Sequence, residues 1–127
     1  MKQLRVLMTA DTVGGVWTYA LELAAGLEPL GVDVVLATMG APLSPAQAKA
    51  AARLDNLDIV ESTYKLEWMP EPWRDVDAAA EWLLGLAAAV DLVHVNGYAH
   101  ASLPFKVPVV TVAHSCVLTW FRRNRST

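Results

Sequence analysis

From Leu4 to Thr38 the chain reads strand, glycine turn, helix, strand, and few folds accept that order with these residues. Leu4-Arg5-Val6-Leu7-Met8-Thr9 and Val34-Val35-Leu36-Ala37-Thr38 are near-continuous apolar runs. Such runs belong to parallel strands buried on both faces, whereas half-exposed strands alternate. Gly14-Gly15 lies between the first strand and the helix. Without Cβ atoms the backbone there can approach a ligand closely, and the free N–H groups of the following helix favour an anion. A phosphate-bearing or sugar ligand is the first expectation for this loop.

The same alternation continues. In residues 16–30, Trp17, Ala20, Leu21, Ala24 and Leu27 recur at helical spacing, and Gly31 closes the helix. Ser44-Pro45-Ala46-Gln47 carries a helix start, with serine as N-cap, proline at the first position and glutamine closing a capping box. That helix is predicted to end near Leu54. Leu57-Asp58-Ile59-Val60-Glu61 alternates and reads as an edge strand. Residues 62–74 have no period but hold Trp68, Met69, Pro70, Pro72 and Trp73, an apolar loop. Asp75 is predicted to cap a helix over residues 75–89, with Val76, Ala79, Ala80, Leu83, Leu84 and Ala87 as its buried stripe. Residues 91–96 and 107–113 are the fourth and fifth strands, joined by a short connection, and the tail from Val117 starts a further helix.

Strands alternating with helices predict an α/β fold: a Rossmann-like parallel sheet of about five strands with helices on both faces. Right-handed crossovers give the expected order 3-2-1-4-5. Ligands of such sheets bind beyond the carboxyl ends of the strands, where the order reverses. That rule gathers residues 11–15, 96–100 and 114–116 at one edge. The whole chain, 1–127, reads as a single domain.

Composition narrows the function. A net charge of −3 argues against nucleic acid as the main partner. All 13 acidic residues lie at or before Asp91, while Lys106, Arg122, Arg123 and Arg125 follow it. This basic end is either a solvated tail or a positive surface for an anionic ligand or a membrane headgroup. A membrane surface is not otherwise indicated, because no apolar run reaches the roughly 18 residues needed to span one and no signal-peptide cleavage pattern is present. One cysteine, Cys116, excludes an internal disulfide and fits a cytoplasmic location.

The glycine turn Asp11-Thr12-Val13-Gly14-Gly15-Val16-Trp17 is not a dinucleotide fingerprint. It lacks the third glycine, and Thr38-Met39-Gly40 stands where an acidic ribose ligand would follow the second strand. A Walker A pattern is also missing.

Taken in order, the Gly-Gly turn, Gly31-Val32-Asp33-Val34, Asp91-Leu92-Val93-His94 and Val107-Pro108-Val109-Val110-Thr111-Val112-Ala113-His114 resemble one known group. This is the N-terminal domain of GT-B glycosyltransferases of family 4, which includes glycogen synthase-like and mannosyltransferase-like enzymes. The resemblance runs from about Leu4 to Ser115. It implies a hexosyltransferase that moves a sugar from a nucleotide-sugar to a sugar or glycoside acceptor, with retention and without a metal or other cofactor. The absence of an Asp-x-Asp motif agrees with that. Carried onto this chain, the resemblance puts Gly14 and Gly15 at the donor diphosphate and His114 at the reacting bond. Asp11, Thr12, Asn96, Gly97, Tyr98 and His100 fall at the acceptor. It also implies a second α/β domain holding most of the nucleotide. The chain is therefore expected to be an incomplete N-terminal domain or fragment, not competent alone, whose partner is the missing C-terminal domain or a second copy of the chain.

Single residues carry competing readings. His94, within a strand, is expected to be a satisfied core histidine, and His100 either an acceptor contact or plain surface. Three histidines at these spacings match no zinc pattern. Cys116 beside His114 lacks an orienting group for a nucleophile, and Ser115 lacks a G-x-S-x-G elbow. Trp68, Trp73, Trp82 and Trp120 are expected in the core or under a missing part, with the Trp68–Trp73 loop alternatively a platform for a sugar or a partner. Two further functions compete with the transferase: a non-catalytic, dimeric α/β binding module, and a flavodoxin-like nucleotide binder. Lack of a phosphate loop and an acidic cluster counts against the latter.

Overall fold

The computed structural model describes residues 3–97, 99–112 and 114. The elements are β1 (Leu4–Asp11), α1 (Gly15–Leu27) with a 3-10 turn (Glu28–Leu30), β2 (Val32–Met39), α2 (Pro45–Ala52), β3 (Leu57–Glu61), α3 (Trp73–Ala87), β4 (Leu92–Val95) and β5 (Val109–Thr111). All strand pairs are parallel, and the order is β3-β2-β1-β4-β5, as the alternation predicts. The predicted tail helix, Ser115, Cys116 and Trp120 lie outside the described residues.

The sheet separates two cores, one on each face. Met8, Ala10, Val34 and Leu36 pack with Trp17, Ala20 and Ala24 of α1 and with Ala51 of α2. Leu7, Val35, Ala37, Val93 and Val95 pack with Leu83 and Ala87 of α3. Alternate residues of one strand thus serve opposite layers, which is why β1 and β2 read as continuous apolar runs.

Several boundaries differ from the sequence expectation. The α-helical part of the first helix stops at Leu27, because Pro29 follows and the chain tightens into a 3-10 turn. The third helix starts at Trp73 after Pro72, two residues before Asp75. Asp75 instead accepts a hydrogen bond from the Lys65 backbone N–H at 2.7 Å, tying down the preceding loop. The last strand is only Val109–Thr111. The capping box of α2 forms as read, with Ser44 Oγ accepting from Gln47 N at 3.1 Å and Gln47 Oε1 accepting from Ser44 N at 2.9 Å. Trp68 and Trp73 are not core: they are 62% and 65% exposed. Trp82 is half-buried and meets Tyr64. Among the described residues, no helix is long and apolar enough to cross a membrane.

One buried group is out of place energetically. Thr38 is 1% exposed, and its Oγ1 has no hydrogen-bond partner among the described residues. An unpaired buried hydroxyl keeps its desolvation cost with no compensating bond. Thr38→Val is therefore expected to raise stability by about 1 kcal/mol, read as a higher urea midpoint at unchanged slope. The two bonds from Ser62 N and Oγ to the Thr38 carbonyl involve only backbone at position 38 and would remain.

Candidate functional site

At the carboxyl edge, the crossovers after β1 and β4 leave in opposite directions and open a cleft of about 200 Å³. Of the residues read from the sequence, Asp11, Asn96, Gly97, His100 and His114 line it, together with Glu67 and Trp68 of the loop before α3. Tyr98 lies outside the described residues.

Gly14 and Gly15 stand beside the cleft at the start of α1. Gly14 is the N-cap, with φ 97° and ψ −164°, and no side chain caps the helix. A Cβ placed on either glycine would meet nothing within 4 Å among the described residues. The first N–H groups of α1 have no side-chain cap among the described residues and favour negative charge.

Asp11 ends β1. Its Oδ1 accepts from Val13 N at 2.8 Å, which shapes the turn into the glycines. Burial raises its carboxyl above the ordinary 3.8, while hydrogen bonds from the Val13 backbone and the Trp68 side chain act in the opposite direction. The loop holding Trp68 is built tightly against this strand end. Gly40 N donates to Tyr64 O at 2.9 Å, and a Cβ on Gly40, at φ 94°, would come within 3.3 Å of both Asp11 Oδ1 and Leu66 Cδ1.

Thr12 is placed differently from its neighbours. It is buried, its Oγ1 donates to Ala41 O at 2.6 Å, and it is not among the cleft residues. Its hydroxyl holds the loop after β2. His100 is buried rather than on the surface, with Nε2 donating to the Val76 carbonyl at 2.9 Å. It fastens the loop after β4 to α3 while lining the cleft.

His94, Asn96 and His114 form one group. Asn96 Oδ1 lies 2.8 Å from His114 Nε2 and 3.2 Å from His94 Nε2. Tyr19 of α1, which no sequence pattern singled out, joins them. Its hydroxyl is 3.4 Å from His94 Nε2, and its ring meets that of His114 edge-on at a centroid distance of 4.6 Å. His94 is thus satisfied, as expected, but by the site and not by the core. Its periodicity in β4 revealed the buried face; its partner Tyr19, 75 residues away, left no local signal.

Burial pushes the His94 imidazole below its ordinary 6.5, with the hydrogen bond to Asn96 opposing and the His114 ring adding to the effect. Both states are neutral above that value, so His94 contributes no pH dependence there. Below it the unfolded chain takes the proton first, and stability falls until pH reaches the depressed native value. The urea midpoint is expected to drop as pH goes from 7 toward 5, with a smaller drop in His94→Gln. Asp11 has the opposite sign: its raised carboxyl takes its proton first in the native state, so its contribution recovers as pH falls through that value toward 3.8.

The model of Glycosyltransferase Family 4 matches residues 13–127. No curated protein sequence matches the chain. Among solved structures, Phytolacca americana UGT2, complexed with UDP-2-fluoro-glucose and pterostilbene, aligns at TM-score 0.63 and 14% identity over 99% of this chain and 34% of its own. The glycotransferase of kitacinnamycin aligns at TM-score 0.61 and 18% identity over 98% and 34%. The C-terminal domain of a Pyrococcus furiosus hydrogenase aligns at TM-score 0.63 and 13% identity over 89% and 94%. At these identities the likeness is one of fold. The chain spans about a third of the length of the two glycosyltransferase structures.

Proposed function

The chain belongs to Glycosyltransferase Family 4, and from that membership we propose that it forms the acceptor-side half of a retaining transferase acting on a nucleotide-sugar. The observation that carries this reading is the open N-terminus of α1 at Gly14 and Gly15, beside a cleft lined by Asn96 and His114. In sugar transfer the bond from the anomeric carbon to the diphosphate oxygen breaks, and negative charge grows on the leaving nucleoside diphosphate. Preoriented N–H groups stabilise that charge without rearranging. The new bond forms to an acceptor hydroxyl, whose proton leaves with the diphosphate. Asp11, Asn96, His100 and His114 line the space for the acceptor and the transferred sugar. A second domain or subunit completes the donor site in this reading, and the chain alone transfers nothing.

The test is a titration of the 127-residue chain with UDP and UDP-glucose, followed by backbone amide shifts. Perturbation centred on Gly14, Gly15 and Val16, with a dissociation constant of about a millimolar or weaker, is expected. That is roughly 4 kcal/mol of binding. Perturbation confined to another surface, or none, overturns the reading. A second reading is a non-catalytic binding module, drawn from the hydrogenase domain only in that a similar fold of nearly equal extent occurs as a single domain. It predicts no amide response to either nucleotide.

A further inference from the structure

The orientation of the Asn96 side chain is settled by its surroundings. Its Nδ2 lies 2.8 Å from the Thr9 carbonyl oxygen, which can only accept, so the amide nitrogen must face that way. The backbone N–H of Asn96 donates to Thr9 Oγ1 at 3.0 Å, which fixes the same residue a second time. The amide oxygen is thereby turned to the two imidazoles. An amide oxygen has two lone pairs and no proton. Two ring nitrogens at 2.8 and 3.2 Å from it, His114 Nε2 and His94 Nε2, must each bring an N–H.

We propose that Asn96 is a positioning residue for His114. Its oxygen locks the His114 proton on Nε2 and leaves Nδ1 as a bare lone pair while the ring is neutral. The ring can then accept a hydrogen bond at Nδ1 but cannot donate one there. His94 occupies the second lone pair of the same oxygen, and the ring of Tyr19 packs edge-on against the exposed His114 ring. The lock is built across the sheet. Thr9 belongs to β1, His94 and Asn96 to β4 and its end, and Tyr19 to α1, so the geometry at His114 depends on the β1–β4 register. A histidine's tautomer is set by the bond its other nitrogen makes; here that bond is to Asn96.

The test needs no ligand, so it stands or falls apart from the transferase reading. Long-range proton–nitrogen correlation spectra of 15N-histidine-labelled chain at pH 8 report which nitrogen of His114 carries the proton. The wild type is expected to show a protonated Nε2 and an unprotonated Nδ1. Asn96→Ala is expected to narrow the separation of the two nitrogen shifts toward the solvent-averaged mixture, with the backbone amide pattern unchanged away from the site. A wild-type His114 protonated on Nδ1 overturns the proposal without any variant. An unaltered separation in Asn96→Ala overturns it as well.

Discussion

Leu36→Ala is expected to lower the stability of this domain by about 3–4 kcal/mol, with a fall in melting temperature of about 10–15 °C. Leu36 is wholly buried in β2, in register with Met8 of β1 and Ile59 of β3. Beside Trp17, the helix residues buried in that layer are small: Ala20 and Ala24 of α1 and Ala51 of α2. Alanines bring the helices close to the sheet, but they have no side-chain torsion with which to swing into a vacated space. The cavity left by truncation would stay largely open, which places the cost in the middle of the range for buried leucines. Equilibrium urea unfolding followed by far-ultraviolet circular dichroism measures it. Leu30→Ala is the control, since Leu30 is 74% exposed and should change stability by under about 0.5 kcal/mol. Equal effects at the two positions would mean that the layer between the sheet and α1 is not packed as described.

Gly14→Val is expected to do two separable things. At φ 97° and ψ −164° the residue occupies a backbone region essentially reserved for glycine. A branched side chain there costs about 1–3 kcal/mol of backbone strain. The same side chain would project into the open space at the start of α1, where the free N–H groups meet an anion in the proposed function. The amide response of residues 14–16 to UDP should therefore fall by at least about tenfold in affinity, equivalent to 1.4 kcal/mol. Gly15→Ala separates the two effects. Gly15 lies in the helix without a positive φ, and its Cβ would meet nothing within 4 Å. It should keep full stability, since alanine is the better helix former, yet still weaken the nucleotide response. Loss of stability without loss of response in Gly14→Val would remove the glycines from the binding site.

Much of the fold is legible residue by residue. The apolar runs at Leu7-Met8 and Val34-Val35-Leu36 announce strands covered on both faces, and the capping box at Ser44 and Gln47 marks the start of its helix to the residue. The site was legible only as a place. His114 and Asn96 were marked because they follow strands at the carboxyl edge, and both line the cleft. Thr12 was marked for the same reason and turned out to hold a loop, since its hydroxyl reaches the Ala41 carbonyl, which sequence position cannot reveal. Of the readings open for Trp68, the core is the one that fails: it is exposed, and its side chain hydrogen-bonds to Asp11. Burial of an aromatic residue depends on which surface its loop lies against.

The sequence by itself determined the alternation of strands and helices, hence the parallel sheet, its order and the edge at which the cleft opens. These follow from periodicity and from the handedness of crossovers, which are local or nearly universal properties of the chain. Only the tertiary structure decided that Tyr19, His94, Asn96 and His114 share one hydrogen-bonded group resting on Thr9. That outcome hangs on the pairing of Met8 with His94 in the β1–β4 register. A slip of one residue would turn His94 and Asn96 to the α3 face, and the alternation with buried Val93 and Val95 opposes it; a slip of two residues would keep the faces while parting Asn96 from Thr9, and no pattern within either strand records that choice.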